Sequence, residues 1–351
     1  MKQFEQICIC RIDRIGDLII TTPILKAISE NWTKSKITLL ASKSNSKVLE
    51  FSNLIDEIII IDNNYSLSKK ISILLQIRKR KFNHFINLSP TNLSYFLCFF
   101  SKALNKSTII FLSRYKQKFS KWIYRFFSNL FCQYTHIVNR KFLLSKNLEI
   151  HQTKMMYHLL EKISKKTFNY SDIEIPVNSE VENKVQKLFS QKIVTIHLSN
   201  RWNNNYYNSE DLHELISKIK NNKKYTFFLT TERTNDRNFY DIINKYIHLY
   251  PKDFIYTESA KEKLNGNIFI LDNYNYNDWI SIIKQSNQVI TPESGCTHVA
   301  AAFKIPVIII YNDDNAPEDI YKEYSPWQSP HKKLIFSAKN DINENIIKEL
   351  N

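Results

Sequence analysis

Short apolar runs alternate with longer stretches of helical period along the chain, and the alternation occurs twice. In the first half, buried-strand patterns fall at 6–12, 37–42, 57–62, 84–87 and 107–112. Apolar positions spaced by three and four predict helices at 17–32, 68–81, 115–130 and 151–166. A polar stretch at 167–179, containing Pro176, interrupts the pattern. The alternation then restarts with strands at 192–198, 226–230, 268–271, 288–290 and 307–311, separated by helices at 209–221, 236–249, 277–285 and 296–303. Strands alternating with helices predict parallel sheets with crossover helices. The expected fold is therefore α/β, with two Rossmann-like domains whose parallel sheets face a central cleft. The domains are set at 1–170 and 191–351, joined over 171–190, with the last helix free to pack back on the first domain.

The length supports this division, because 351 residues exceed what one core usually holds. The longest apolar runs, 58–61, 96–100 and 306–311, fall far short of the roughly 18 residues that cross a bilayer. The first residues run straight into a strand pattern and lack the layout of a signal peptide. A cytoplasmic location is expected. The 5 cysteines include no Cys-x-x-Cys pair and no zinc spacing. Cys8 and Cys10 alternate on one strand and share a face, as reduced, buried thiols would.

Charge adds an open question. With 49 Lys and Arg against 34 Asp and Glu, the net charge is +15. Either the composition has drifted toward lysine, or the chain meets an anionic partner such as a membrane surface or an acidic glycan. Nucleic acid is not expected, because no nucleic-acid module pattern is present. The predicted helix at 115–130 sharpens the question. Lys118, Lys121 and Arg125 fall on one side, with Phe119, Trp122, Phe126 and Leu130 largely on the other. Such a helix suits a bilayer surface, and it equally suits a domain helix with a solvated basic side.

Glycine directs attention to the chemistry. The chain has only 3 glycines, where ordinary usage of roughly 7% would give about two dozen. Glycine is expected to survive where the backbone needs positive φ or lets another group approach closely. Two of the 3 lie at predicted strand-to-helix turns: Gly16 in Arg11-Ile-Asp-Arg-Ile-Gly-Asp17, and Gly295 in Thr291-Pro-Glu-Ser-Gly-Cys-Thr-His298. At the second turn the amides of Ser294, Gly295, Cys296 and Thr297 would open a helix, a ready site for phosphate. Ser294 or Thr297 could equally be a plain helix cap. His298 reads as a phosphate donor or as a packed first-turn residue. At the first turn Asp17 reads as a helix cap or as a general base aimed from the end of a strand. Arg11 and Arg14 flank it, either to hold an acidic acceptor or to keep Asp17 ionised. A Rossmann dinucleotide site is disfavoured, since Gly-x-Gly-x-x-Gly occurs nowhere in the chain.

These residues resemble the bacterial heptosyltransferases of lipopolysaccharide synthesis, glycosyltransferase family 9. The first motif stands as Arg-Ile-Gly16-Asp17-Leu-Ile-Ile-Thr-Thr22-Pro23. The second stands as Glu293-Ser294-Gly295-Cys296-Thr297-His298-Val-Ala300-Ala301, followed by Ile305-Pro306-Val307. The resemblance implies the two-lobed GT-B fold and an inverting glycosyltransferase that needs no metal and no cofactor beyond its nucleotide-sugar, ADP-heptose in the family. Asp17 matches the family's proposed catalytic base, with Arg11, Arg14 and Gly16 on the acceptor side. Donor phosphates are assigned to Ser294, Gly295, Cys296, Thr297 and His298, and to the loop Ser199-Asn200-Arg201. The nucleoside is assigned to Asp236, with Glu232 as runner-up, and to Glu293, which stands where the family has aspartate. The implied acceptor is an anionic glycolipid, a lipopolysaccharide core or related surface glycan, met at the cytoplasmic face of the inner membrane. One departure stands out: Asn204 falls about where the family carries a phosphate-binding lysine, and Arg201 is the available replacement. A non-catalytic relative that binds nucleotide or glycan is the alternative reading.

Overall fold

The computed structural model describes residues 5–62, 64–199, 201, 207–231, 241, 243–255, 266–313, 316–337 and 342–350. Two compact units divide the chain: Met1–Pro176 with Lys322–Tyr324, and Val177–Tyr321 with Ser325–Asn351.

The first unit is built on six parallel strands: β1 (Glu5–Arg11), β2 (Ser35–Ala41), β3 (Glu57–Ile60), β4 (His84–Asn87), β5 (Asn105–Phe111) and β6 (Tyr134–Val138). Their spatial order is β3-β2-β1-β4-β5-β6, with Cys8 of β1 registered against Thr38 on one side and Phe85 on the other. The chain winds outward from β1 to β3, then crosses back to β4 and continues the other way. That reversal puts the topological switch point between β1 and β4, where open α/β sheets bind ligands beyond the strands' carboxyl ends. Cys8 and Cys10 are buried in the core with free thiols, as expected. Burial pushes both thiols well above their ordinary range.

The stretch expected as one helix at 17–32 forms two, Ile15–Ile19 and Thr22–Asn31. The cause is Pro23, which has no N–H to donate back to Ile19. The Thr22 hydroxyl supplies that bond instead, donating to the Ile19 oxygen at 2.9 Å. This break is then clamped by the helix Gln152–Ser164: Thr153 Oγ1 donates to the Ile20 oxygen at 3.1 Å and the Tyr157 hydroxyl to that of Pro23 at 3.1 Å.

Seven parallel strands form the second unit: β7 (Lys192–Leu198), β8 (Tyr225–Thr231), β9 (Ile247–Leu249), β10 (Ile268–Leu271), β11 (Gln288–Pro292), β12 (Val307–Asn312) and β13 (His331–Phe336). The order β13-β12-β11-β7-β8-β10-β9 puts its switch point between β7 and β11. The helix expected across 236–249 does not extend to its end, because Ile247–Leu249 is the edge strand β9, paired to β10. His248 fixes that edge, its Nδ1 lying 2.9 Å from the Asp272 carboxylate. The last helix, Ile342–Leu350, stays with the second unit rather than returning to the first domain. Ile342, Ile346 and Leu350 enter the core beside Leu212 and Ile216, each worth about 1.5–3 kcal/mol of apolar burial. Asn343 Nδ2 locks the contact by donating to the Asp211 oxygen at 2.9 Å.

No glycine has a positive φ. Gly16 lies inside the helix Ile15–Ile19 and Gly295 opens the helix Gly295–Ala302. Of the two reasons expected for glycine at these turns, positive φ applies at neither, since both residues have entered helices.

Candidate functional site

β1 ends in a charged cluster at the first unit's switch point. Arg11, the last residue of β1, is 1% exposed, and its guanidinium has no access to solvent. Nε donates to the Asp17 backbone oxygen at 3.0 Å and Nη2 to Asp17 Oδ1 at 3.3 Å, while Nη1 donates to the Leu88 oxygen. Nη1 also stands 3.3 Å from Asp13 Oδ2. Two of these three hydrogen bonds go to Asp17. Of its two sequence readings, the geometry is that of a group holding Asp17.

Asp17 is fixed at both oxygens. Oδ2 accepts the backbone amide of Arg14, the N-cap residue of the helix Ile15–Ile19, at 3.3 Å. Thr21 Oγ1 donates to the Asp17 backbone oxygen at 2.7 Å. The Asp17 side chain nevertheless keeps 12% exposure. Arg14 is exposed, and Gly16 lies between them in the same helical turn.

Asp13 joins this cluster without having been picked out in the sequence. Its Oδ1 accepts the Ser89 hydroxyl at 3.1 Å. Burial raises its carboxyl from the ordinary range to about 6; the Arg11 guanidinium opposes the rise and the Asp17 charge adds to it. Two carboxylates therefore share one buried guanidinium. Nothing in residue spacing separates Asp13 from an ordinary loop aspartate; only its burial does.

Glu323 and Tyr324 belong to the same unit, though some 300 residues separate them from Asp17 in sequence. Glu323 accepts from Gln152 Nε2 at 2.6 Å and pairs with Arg140 at 3.2 Å. Burial pushes the Tyr324 hydroxyl up to about 12, with the charges of Glu323 and Asp17 adding to the effect. No local sequence signal pointed to either residue.

In the second unit, β7 and β11 pair in the sheet, so Ser199 and Glu293 directly follow neighbouring strands. Ser294 is the N-cap of the helix Gly295–Ala302. Its Oγ accepts the Cys296 amide at 3.3 Å, its backbone oxygen accepts the Thr297 amide at 3.2 Å, and its own amide donates to Thr297 Oγ1 at 3.5 Å. The capping reading of the sequence is present in full. Cys296, Thr297 and His298 are buried under the loop. Ser199, just past β7, is buried with its hydroxyl unbonded among the described residues. Arg201 and Glu293, assigned to different parts of the donor, form an ion pair with each other across the two loops. Asn200, Asn204, Glu232 and Asp236 lie outside the described residues.

The sequence profile described as glycosyltransferase family 9 (heptosyltransferase) matches residues 72–338, about three quarters of the chain.

The chain belongs to glycosyltransferase family 9.

Its structure is similar to that of E. coli ADP-heptose LPS heptosyltransferase II, with a TM-score of 0.70 at 11% identity over 99% of this chain and 97% of that one. A glycosyltransferase family 9 protein from Veillonella parvula gives 0.68 at 17% identity, over 99% and 91% of the two chains. E. coli heptosyltransferase WaaC with ADP gives 0.64 at 12% identity, over 98% of each. A search of curated protein sequences gives no match. At these identities the likeness establishes the fold, which is that of the GT-B heptosyltransferases. The family establishes that the chain is a glycosyltransferase; the matched residues include the Ser294-Gly295 turn, while Gly16-Asp17 lies ahead of them. Among the described residues, no group of three or more His, Cys, Asp or Glu could hold a metal ion.

Proposed function

We propose that this glycosyltransferase moves a sugar from a nucleotide donor, heptose from ADP-heptose, onto a lipopolysaccharide core or related anionic surface glycolipid, with inversion and without a metal. The observation that carries the reading is the setting of Asp17. Its carboxylate is held at both oxygens by Arg11 and the Arg14 amide, at a switch point, and its side chain is not fully buried. A base so held can take the proton of an acceptor hydroxyl as its oxygen attacks the donor's anomeric carbon. The bond from that carbon to the diphosphate breaks, and the nucleoside diphosphate leaves with the electron pair.

Charge then develops on the leaving diphosphate. The N-terminus of the helix Gly295–Ala302 offers it a positive dipole end and preorganised amides. Ser294 Oγ accepts the Cys296 amide; a phosphate oxygen takes its place and the hydroxyl turns to donate. Arg201 exchanges Glu293 for phosphate in the same step, supplying the cation that Asn204 does not.

Similar proteins support the donor. WaaC carries ADP in one structure and ADP-2-deoxy-2-fluoro heptose in another. A thermal-shift screen against ADP, UDP, GDP and CMP tests the choice, since a ligand that binds only the folded state raises its stability. ADP alone should raise the melting temperature; a shift with UDP or GDP and none with ADP would remove ADP-heptose as donor. Release of ADP on addition of an acceptor separates this reading from that of a non-catalytic binding relative.

A further inference from the structure

The excess positive charge of this chain is confined to one region. Residues 64–148 contain 16 of the 49 Lys and Arg and none of the 34 Asp and Glu. Outside that quarter of the chain, 33 basic residues face 34 acidic ones, close to neutrality. Compositional drift toward lysine would spread the excess along the chain. Its segregation calls for a local cause.

The same region exposes an aromatic surface. The helices Leu67–Arg80, Asn92–Phe100 and Lys118–Phe131 connect β3 to β4, β4 to β5 and β5 to β6. These three crossovers advance in one direction, so their common right-handedness puts all three helices on one face of the sheet. In the helix Lys118–Phe131 only Ser128 is buried, while Tyr124 and Phe131 pack part-buried on the core. Phe119 is 67% exposed, Trp122 58% and Leu130 62%. A solvated domain helix would be polar on its outward side; this one carries Phe119, Trp122, Phe126 and Leu130 there as well. An unbroken run of ring contacts joins Phe100 to Phe119 through Phe131, Phe127, Phe126 and Trp122, neighbouring centroids lying 5.4 to 6.1 Å apart. Lys118, Lys121 and Arg125 are interleaved with those rings along the same helix.

We infer that this face of the first unit docks on an anionic lipid bilayer, the helix Lys118–Phe131 lying in the interface with its rings among the acyl-chain boundary and its cations at the headgroups. Aromatic and leucine side chains beside Lys and Arg on one helix are the composition that binds such an interface. The acid-free 64–148 region supplies the attraction to anionic lipid. At 14 residues the helix is too short to span, and no helix among the described residues is long and apolar enough to do so. A bilayer suits the surface better than nucleic acid, because the rings stack on one another over a convex helix and Leu130 offers nothing for a base to stack on. The inference extends the proposed glycolipid acceptor by naming where the membrane is met, but it stands on exposure and charge alone.

The test is flotation of the full-length protein with vesicles of equal parts dioleoylphosphatidylglycerol and dioleoylphosphatidylethanolamine, against pure dioleoylphosphatidylcholine. Wild-type protein floats with the anionic vesicles and loses binding at high salt. The triple change Phe119→Ser, Trp122→Ser, Phe126→Ser lowers binding at least about tenfold, and so does Lys118→Gln, Lys121→Gln, Arg125→Gln. Unchanged melting temperatures establish that both variants are folded. The inference is overturned if wild-type protein ignores anionic vesicles, or if neither variant lowers its binding. It is equally overturned if the aromatic variant abolishes a dimer seen in sedimentation, or if single-stranded DNA binds this face more tightly than the vesicles. No donor is present in this assay, so its failure leaves the transfer reaction standing, and failure of transfer leaves the docking result intact.

Discussion

The Nε of Arg11 donates to the backbone oxygen of Asp17 at 3.0 Å, and its Nη2 reaches Oδ1 of the same residue at 3.3 Å. One buried guanidinium therefore fixes both the turn that carries Asp17 and the carboxylate itself. Replacing it with Met would leave Asp13 and Asp17 without their shared cation. Removing one partner of a buried charge pair costs about 3–5 kcal/mol. Arg11→Met is expected to lose that much in urea unfolding, and Arg11→Lys less, because the charge stays while the planar fork is lost. Wild-type stability in Arg11→Met would mean that the cluster does not depend on Arg11.

Asp13 makes stability depend on pH in a stated direction. Its folded-state value is raised from 3.8 to about 6, burial being the main cause. The native state thus holds a proton that the unfolded chain has released between those values. The contribution is fully present below pH about 4 and is lost as pH rises through about 6. Asp13→Asn has no such proton to lose. Between pH about 4.5 and about 7.5, its unfolding free energy should gain on wild type by about 2 kcal/mol. A difference between the two proteins that stays flat across this range would contradict the assignment.

Ser294 separates capping from donor binding. Ser294→Ala removes the cap and should cost about 1 kcal/mol of stability. Ser294→Asp keeps a good cap, so its stability should match wild type, yet it sets a negative charge where the diphosphate is proposed to sit. Calorimetry should find ADP bound at least about tenfold more weakly by Ser294→Asp, a loss of about 1.4 kcal/mol. Equal affinity would move the diphosphate away from this helix.

The strands that the sequence foretold to the residue, His84–Asn87, Lys192–Leu198 and Ile268–Leu271, are runs whose interior positions are buried, so apolar character and burial coincide. The two turns were legible for a different reason: strand, glycine and helix adjoin there, and their residues resemble motifs of the family. What stayed hidden depends on distance and burial. β6 is a half-buried edge strand whose pattern is mostly intermediate, so its periodicity is weak. The three-residue β9 exists through its pairing with β10, which no local propensity encodes. Arg11 left two readings open, an acceptor-binding cation or a charge beside Asp17, because spacing does not report its burial at the end of a central strand. Asp13 was passed over because spacing cannot report desolvation. Glu323 and Tyr324 come from the far end of the chain, and only the fold brings them to the first unit.

Chelation gives a further check. With the helix N-terminus and Arg201 in place of a divalent cation at the diphosphate, sugar transfer should proceed at an unchanged rate in excess EDTA. Loss of turnover that Mg²⁺ or Mn²⁺ restores would contradict the metal-independent reading.

The most direct measurement is single-turnover transfer from ADP-heptose to a heptose-deficient lipopolysaccharide acceptor by wild-type protein and Asp17→Asn, with ADP affinity measured on both. Removal of a positioned base should slow the variant by about 10²–10⁴-fold, while ADP binds both proteins alike. Transfer by Asp17→Asn at the wild-type rate would contradict the account at its centre.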